Sequence, residues 1–455
     1  MKPATNADAR SVALYVLERV ETEGAYADLA LRAALAQSGL DVRDRAFATE
    51  LAYGTLRWRG HLDFLLAGVL DRPLDRIEAR VLAVLRLGAY QLVFCDRVPD
   101  AAAVSESVRI ACGSGLRRAA GLINASLRRL AREHATRALP ALADDPVGHL
   151  VDALSFPRWI AERWVAAFGP DEAAALAAAS NAAPPRTLRA NRTRGSRDAL
   201  LAELRTRFPD ATACRFAPDG ISLGLRGDPI ADVAFREGRM TVQDEASQLV
   251  VELLDPQPGE RVLDACAAPG AKATAIAERV GAAGRVIAMD RHPRRLALVA
   301  RDAERLGLDC IAAFVVDASA PALAGLEDDA PFDRILVDAP CSGLGSLRRN
   351  PDARWRVQPE AIEALAAEQR AILAAVLPRL RRGGTLVYST CTLTIEENES
   401  VASWLLAHAP DLRRVGIPEL PASLHELLDA DGALRCWPQR HDSDGFYAAR
   451  FERRS

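Results

Sequence analysis

The stretch Val262-Leu-Asp-Ala-Cys-Ala-Ala-Pro-Gly-Ala-Lys272 joins a predicted strand to a predicted helix through a tight turn. Gly270 lets the backbone of such a turn come close to a ligand, because glycine has no Cβ atom. The stretch matches neither G-x-G-x-x-G nor G-x-x-x-x-G-K-[ST], which argues against a dinucleotide or a nucleoside triphosphate as the ligand. It therefore indicates a strand, turn and helix that hold a ligand of another kind.

Apolar strands alternate with helical segments from Met240 onward. The predicted strands cover residues 261–264, 285–290, 311–317, 334–338 and 385–389. This alternation predicts an α/β fold, a doubly wound Rossmann-like domain whose open, mostly parallel sheet binds ligands outside the C-terminal strand ends. Four of the five predicted strands end in an aspartate, namely Asp264, Asp290, Asp317 and Asp338.

These aspartates indicate a nucleoside cofactor. Asp290 ends the strand that follows the Gly270 turn, where a carboxylate can accept hydrogen bonds from both ribose hydroxyls of an adenosine. Asp317 ends the next predicted strand in the same way. One such aspartate can simply cap the following helix, but the ordered series favours a cofactor without a phosphate-rich tail. S-adenosylmethionine is the common cofactor of that kind.

Two predicted strands lead into cysteines, Cys341 and Cys391. A single cysteine is most often a small buried apolar residue, but two at matched strand ends indicate chemistry. Thr394 and Glu397 fit a T-x-x-E capping box, so a helix is expected to start close to Cys391 and to favour its thiolate.

A thiolate beside an adenosine-type cofactor and an acid suits methylation of a pyrimidine at C5. The C5 atom is a poor nucleophile until a thiolate adds at C6. Asp338 is the candidate acid near N3, where it would stabilise the charge that develops as the adduct forms. A base then removes the C5 proton, and elimination, which the second thiol could assist, releases the enzyme.

The N-terminal part is helical and more basic than the rest. Residues 9–132 show helical periodicity without strand-like alternation. Residues 1–143 carry 20 basic and 16 acidic side chains, whereas the whole chain has a net charge of −3, so any nucleic-acid site must be local. A helix over residues 122–130 has a basic cluster that either contacts phosphates or is a solvated face. This cluster comprises Arg117, Arg118, Arg128 and Arg129.

A small α+β module is expected to connect the two parts. A helix over 159–178 is stopped by Asn-Ala-Ala-Pro-Pro at 181–185, and strands at 187–191 and 220–225 flank a helix over 196–208. The predicted division is a helical domain at 1–143, the connecting module at 144–238 and the α/β domain at 239–455.

Composition limits the remaining classes. The chain of 455 residues has no apolar stretch of eighteen residues and no apolar signal-peptide segment, so a soluble cytoplasmic protein without a membrane partner is expected. The eight cysteines contain no C-x-x-C pair, and the seven histidines show no metal-ligand spacing. No metal is therefore expected.

The sequence resembles the RsmB/Sun family of bacterial 16S ribosomal RNA cytosine-5 methyltransferases over nearly its whole length. The matching stretches are VQDEASQ at 242–248, DACAAPGAK at 264–272, DAPCSGLG at 338–345, NPDARW at 350–355 and YSTCTLTIEENE at 388–399. The resemblance implies that Cys391 is the nucleophile, that Cys341 aids release of the methylated RNA and that Asp338 contacts the cytosine ring. It also implies an S-adenosylmethionine site lined by Cys266, Ala267, Ala268, Pro269, Gly270, Ala271, Lys272, Asp290, Asp317 and Asp338.

Two residues depart from the family pattern. Ala271 stands where the family usually has a second glycine, and Thr392 stands where a serine commonly follows the nucleophile. Neither change removes a reacting group. Ala271 requires a backbone conformation that an L residue tolerates, which puts the geometry of the turn in question.

The N-terminal helices resemble the NusB family of RNA-binding domains at residues 43–58 and 124–133. The fusion implies 16S ribosomal RNA, or a small-subunit assembly intermediate, as the partner and cytosine 967 as the target. Three other functions stay open on the sequence alone: a tRNA cytosine-5 methyltransferase, a non-catalytic RNA-binding or assembly factor, and a small-molecule methyltransferase.

Overall fold

The computed structural model describes residues 8–225, 227–323, 326, 330–416 and 422–454. It divides into two compact units. Unit 1 contains Met1–Ala182 and Leu347–Val357, and unit 2 contains Ala183–Ser346 and Gln358–Ser455. The three-domain division at 143 and 238 stays a prediction.

Unit 1 begins with seven helices, and the described part of residues 9–133 contains no strand, as predicted. The fifth helix has a buried apolar face, since Val81, Val84 and Leu85 lie in the core of the unit. The helices are α1 Ala9–Glu23, α2 Ala27–Ser38, α3 Val42–Arg57, α4 Arg59–Ala67, α5 Ala79–Phe94, α6 Asp100–Gly113 and α7 Ala120–Glu133.

Two more helices complete the first segment of unit 1, α8 Arg158–Phe168 and α9 Pro170–Asn181. The prediction of one helix over 159–178 is therefore wrong. Gly169 has a φ of 79°, and Pro170 at the first position of α9 cannot donate an N–H bond to the preceding turn, so the chain breaks there. The helical stretch ends at Asn181, before the two prolines, as predicted.

The NPDARW motif belongs to the interior of unit 1. The Arg354 side chain is fully buried and donates to Asn181 Oδ1 at 2.8 Å and to the Ser155 carbonyl at 3.2 Å. Its guanidinium also lies over the Phe156 ring, 4.1 Å from the centroid. Since Trp355 Nε1 donates to the Leu56 carbonyl at 2.7 Å, residues far along the chain complete the packing of this unit.

Unit 2 contains a small antiparallel sheet with the strand order β2-β3-β1-β4. Its elements are β1 Thr187–Ala190, α10 Arg197–Leu204, β2 Thr212–Ala213, β3 Gly220–Ser222 and β4 Met240–Val242. The sheet and its helix agree with the predicted α+β module. Strand β4 pairs with β1, so the small sheet uses residues on both sides of position 238.

The large sheet of unit 2 has the order β10-β12-β9-β8-β5-β6-β7, with β11 paired to β12. Strands β5 to β9 run parallel, whereas β10, β11 and β12 are antiparallel to their neighbours. The elements are α11 Glu245–Leu254, β5 Arg261–Asp264, α12 Ala271–Val280, β6 Arg285–Asp290, α13 Pro293–Leu306, β7 Ile311–Val315, β8 Phe332–Asp338, α14 Pro359–Val376, β9 Leu380–Thr390, α15 Glu399–His408, β10 Leu412–Arg414, β11 Leu434–Cys436 and β12 Phe446–Arg453. One-turn helices lie at Pro146–Gly148, Val233–Arg236, Ala353–Arg356, Ala422–His425 and Pro438–His441.

Both faces of the large sheet are buried. Alternate residues of β5 and β6 enter different apolar clusters: Val262 and Val286 pack in one, and Leu263 and Ile287 in the other. Such burial on both sides is typical of parallel sheets in α/β proteins and confirms the predicted doubly wound fold. The described helices include no candidate for a membrane-spanning segment.

Candidate active site

The turn after β5 is held close to the neighbouring strands. The Ala265 amide donates to the Leu336 carbonyl at 2.9 Å, and the Ala267 amide donates to the Met289 carbonyl at 2.7 Å. Gly270 ends the turn with a φ of 119°, and a Cβ atom there would lie 3.0 Å from Val299 Cα. Glycine is therefore required at position 270 by both conformation and space.

Ala271 fits the turn without strain. It is the first residue of α12, and its φ is not positive. Alanine is the most favourable residue for a helix, so the departure from the family glycine leaves the turn intact. The positive φ in this turn falls on Gly270, so Ala271 does not disturb its geometry.

Two aspartates end adjacent parallel strands, Asp264 on β5 and Asp290 on β6. Asp264 is fully buried, and neither of its carboxylate oxygens has a hydrogen-bond partner among the described residues. Burial first, and the charge of Asp338 second, raises the pKa of Asp264 to about 7. Asp290 is also buried and accepts from the His292 amide at 2.7 Å.

Asp317 lies beyond the strand that was predicted to end with it. Strand β7 ends at Val315, which pairs with Asp290, and Asp317 is exposed two residues later. Its carboxylate accepts from the amide of Ser319 at 2.9 Å and from its hydroxyl at 2.6 Å. These bonds lower the pKa of Asp317. The strand prediction was two residues too long because pairing with β6 stops at Val315.

Lys272 and Asp338 form an ion pair across the turn. Lys272 Nζ lies 2.7 Å from Asp338 Oδ2, and Ser389 Oγ donates to Asp338 Oδ1 at 2.8 Å. Burial lowers the pKa of Lys272, but the Asp338 carboxylate and then Cys391 outweigh it, so the pKa is raised. The ammonium also lies over Phe446, 5.2 Å from the ring centroid.

The two cysteines singled out by the sequence meet in the structure. Cys341 Sγ and Cys391 Sγ lie 3.3 Å apart, on the loops that follow β8 and β9. The hydrogen bond to Cys391 and then burial raise the pKa of Cys341 well above its usual value. Burial likewise raises the pKa of Cys266, so this thiol in the turn stays protonated.

The capping box predicted at Thr394 and Glu397 is wrong. Helix α15 begins at Glu399, with Asn398 as its N-cap. The Glu397 side chain instead accepts from the amide of Ser342 at 2.8 Å and from its hydroxyl at 2.6 Å. The Glu397 carboxylate thus bonds to a residue 55 positions away in the sequence instead of capping the local backbone.

Sequence reasoning missed a buried polar network around the two thiols. The fully buried Glu397 and Asn398 both bond to the cysteine loops. The signal was present as two adjacent polar residues in the EENE stretch, but their partners lie on other strands. Thr392 belongs to the same network, since its hydroxyl lies 2.6 Å from Ser342 Oγ.

The basic cluster of unit 1 lies on the short turn Arg117–Ala119 and on α7. Arg117, Arg118 and Arg128 are exposed, and within the described ranges no ion pair involves them. Arg129 differs, because its Nε lies 3.0 Å from the Glu133 carboxylate. Three of the four arginines thus have guanidinium groups available to a phosphate.

Family models match three parts of the chain. The 16S rRNA methyltransferase RsmB/F model matches residues 251–452, and the NusB family model matches residues 7–132. A model described as a ferredoxin-like domain, RsmF/B-like, matches residues 156–228.

Individual proteins match over most of the chain. A probable ribosomal RNA small subunit methyltransferase B of Synechocystis is 37% identical, over 98% of this chain and 99% of that protein. Ribosomal RNA small subunit methyltransferase B of Pseudomonas putida is 40% identical, over 90% of this chain and 91% of that protein. The crystal structure of PH0851 has the same fold, with a TM-score of 0.79, 22% identity and coverage of 98% of this chain and 99% of that one.

The resemblance inferred from the motifs is thereby confirmed at the level of the family. Identity of 37% across 99% of a relative's length is far more than a shared fold requires. Methyltransferases of this family use S-adenosylmethionine as the methyl donor. The chain belongs to the RsmB/F family of 16S ribosomal RNA methyltransferases.

Proposed function

We propose that this protein methylates C5 of a cytosine in 16S ribosomal RNA, at the family target cytosine 967, through a covalent bond between Cys391 and C6. The observation that carries the proposal is the pair of thiols 3.3 Å apart on loops adjoining the Lys272–Asp338 ion pair. A small-molecule methyltransferase that methylates an oxygen or a nitrogen needs no such pair of thiols. The rRNA substrate would place the reaction in the cytoplasm.

The turn after β5 fits S-adenosylmethionine. The buried Asp264 carboxylate lacks a partner among the described residues, and Gly270 keeps the backbone free of a side chain at the same strand end. We assign the cofactor to the residues 266–272, with Asp290, Asp317 and Asp338 as its acidic contacts. When bound, S-adenosylmethionine supplies an electrophilic methyl group to the activated C5 atom.

Attack on the base begins at Cys391. Its sulfur attacks as the thiolate and forms a bond to C6, and the electron pair of the C5–C6 double bond shifts towards C5 and the N3 side of the ring. The Lys272 ammonium donates a hydrogen bond to Asp338 Oδ2, and this pair stabilises the charge that develops near N3.

Release reverses the first bond. After C5 has taken up the methyl group, a solvent base removes the C5 proton, the double bond forms again and the Cys391 sulfur leaves as a thiolate. The Cys341 thiol stays protonated because its pKa is raised, and at 3.3 Å it donates a hydrogen bond to the departing sulfur. The two cysteines thus have different tasks.

Bisulfite sequencing of total RNA from cells with and without the gene tests the proposal, because 5-methylcytosine resists deamination. Loss of one small-subunit rRNA signal is expected. Loss in a tRNA instead would overturn the substrate and favour the tRNA methyltransferase. No loss at any site would overturn the reaction and favour an assembly factor.

A further inference from the structure

One two-residue segment is bonded to the loops of both thiols, directly or through Gln369. Glu397 and Asn398 are adjacent and fully buried, and they lie between the Cys391 loop and the start of α15. They touch neither sulfur directly in the described contacts. They form hydrogen bonds to residues that flank each cysteine in the sequence.

Glu397 holds the Cys341 loop. Its carboxylate accepts from the Ser342 amide at 2.8 Å and the Ser342 hydroxyl at 2.6 Å, immediately after Cys341. Gln369 Nε2 donates both to Glu397 Oε1 at 3.1 Å and to the Pro340 carbonyl at 2.9 Å, immediately before Cys341. The peptide groups on both sides of this cysteine are therefore fixed through one carboxylate and one amide.

Asn398 holds the Cys391 loop in the same manner. Its Oδ1 accepts from the Thr390 hydroxyl at 2.5 Å, and its Nδ2 donates to the Thr392 carbonyl at 3.1 Å. Thr390 and Thr392 are the two neighbours of Cys391. One side-chain amide thus brackets the nucleophile.

A buried carboxylate without a cation in contact needs strong donors to offset the loss of hydration. Glu397 has four described donors, all neutral: the two Ser342 groups, Gln369 and Thr394, whose hydroxyl donates at 2.7 Å. Apolar side chains in place of this network would often give equal or greater stability. The network therefore suggests that the geometry of the loops has a use. Reaction geometry is such a use, because a misplacement of about 1 Å can slow a reaction by about 10²-fold.

We propose that Glu397 and Asn398 are positioning residues with separate tasks: Glu397 places Cys341 for release of the product, and Asn398 places Cys391 for attack on C6. This inference rests on the proposed function. It predicts that the two variants change the amount of covalent enzyme–RNA adduct in opposite directions, although both slow turnover. A general loss of stability would also lower both quantities together, so the thermal transition of each variant is measured, and Asn398→Ala supports the inference only if it unfolds at the wild-type temperature.

The test uses the full chain, S-adenosylmethionine and a 16S rRNA fragment that contains the target. Two quantities are measured: the rate of methyl incorporation, and the fraction of enzyme joined to RNA in denaturing gels. Glu397→Gln keeps the side-chain shape but replaces one acceptor oxygen by a donor. We expect turnover about 10²-fold slower with more adduct than wild type for this variant. For Asn398→Ala we expect a similar loss of turnover with less adduct.

The matched control is Glu399→Gln in the same segment, since Glu399 pairs with Arg435 and not with the cysteine loops. It should leave both quantities unchanged. If Glu397→Gln does not fold, as judged by its thermal transition, Gln369→Met replaces it, because it removes the bond to the Pro340 carbonyl and leaves three donors to Glu397. The same rise in adduct is expected.

The inference is overturned if either variant matches wild type, if Glu397→Gln lowers the adduct, or if Asn398→Ala raises it. Cys341→Ala separates this failure from failure of the proposed function. Absence of an adduct in Cys341→Ala would refute the covalent reaction itself. An adduct in Cys341→Ala but none above wild type in Glu397→Gln would refute only the assignment of Glu397.

Discussion

The thiols of Cys341 and Cys391 share a hydrogen bond at 3.3 Å, on loops that follow two adjacent parallel strands. This hydrogen bond and burial raise the pKa of Cys341 well above its usual range. The proposed mechanism gives the two thiols different tasks, which are attack for Cys391 and release for Cys341. These tasks lead to the first prediction.

Replacing each cysteine by alanine should have different results. Cys391→Ala removes the atom that bonds to C6, so methyl transfer should be abolished and no adduct should form. Cys341→Ala keeps attack but removes the hydrogen bond to the departing sulfur, so the covalent RNA adduct should accumulate. Denaturing gels with labelled RNA measure the adduct. Full activity in both variants would contradict the mechanism.

Stability should depend on the ionisation of Asp264. Its pKa is raised from 3.8 to about 7 in the folded state, so the folded protein binds an extra proton between these values. Stability should fall as pH rises through this window, by at most about 1.4 kcal/mol per pH unit. Asp264→Asn should remove this pH dependence. The stability of the variant relative to wild type should therefore be greater at pH 8 than at pH 4. Thermal unfolding at several pH values measures the difference.

Asp317→Asn is the matched control for Asp264, with the opposite sign. The pKa of Asp317 is lowered by its bonds to Ser319, so it stabilises the fold above its unfolded pKa and loses this effect as pH falls. The variant should be slightly less stable than wild type at neutral pH and equal to it in acid. The same pH dependence in both variants would show that Asp264 is not the group that titrates.

The buried ion pair between Arg189 and Glu278 should be needed for the stability of unit 2. Their side chains are 4% and 2% exposed and 2.7 Å apart, and Arg189 also donates to the Ala271 carbonyl at 2.6 Å. Arg189→Met would leave Glu278 charged and buried, at a cost of about 3–5 kcal/mol. Arg192→Met, which breaks a pair that is 40% exposed on the arginine side, should cost less than about 1 kcal/mol. Urea unfolding compares the two.

Gly270→Ala should weaken both folding and cofactor binding. A methyl group there meets Val299 Cα at 3.0 Å, and a φ of 119° is strained for alanine. Binding of S-adenosylmethionine, followed by calorimetry, should fall together with the unfolding temperature. Gly121→Ala is the control, because Gly121 lies in the first turn of α7 with open space around an added Cβ atom, and this change should not lower the unfolding temperature.

The exposed arginines of unit 1 should contribute to RNA affinity. Arg128→Ala should weaken binding equally for different RNA sequences and lower the slope of log affinity against log salt by about 1. Arg129→Ala removes a guanidinium that already pairs with Glu133, so its effect should be smaller. Filter binding at several salt concentrations distinguishes the two. Equal and negligible effects would identify the cluster as a solvated face.

Much of the large sheet could be predicted from local patterns. Strands β5 and β6 have the bounds that the sequence predicts, because each has an apolar stretch buried on both faces and leads into a turn or helix signal. Strand β7 was predicted too long, since its end is set by pairing with β6 rather than by its own residues. Gly169 and Pro170 are a sequence signal for the break between α8 and α9. The helical periodicity on both sides nevertheless favoured the prediction of a single helix.

The site could be predicted only in part. The turn, the two cysteines and the aspartates Asp264, Asp290 and Asp338 lie where the sequence predicts, at or just after the ends of parallel strands, whereas Asp317 lies two residues beyond β7. The contacts of Glu397 could not be predicted in this way. The T-x-x-E pattern suggests a local helix cap, but the Glu397 carboxylate bonds to Ser342, on a loop after a different strand. Competition between a local cap and a distant partner is decided by packing, which the local pattern does not contain.

The insertion of Leu347–Val357 into unit 1 has a consequence for the order in which the protein can be made. When residues 1–182 have left the ribosome, the acceptors of Arg354 at Ser155 and Asn181 have not yet met their donor. The helical unit is completed only after residue 357 has also left the ribosome, by which time the strands from β5 to β8 are outside as well. Neither unit can finish folding before translation has passed through most of the other, so a gene fragment that ends at position 182 encodes an incomplete unit.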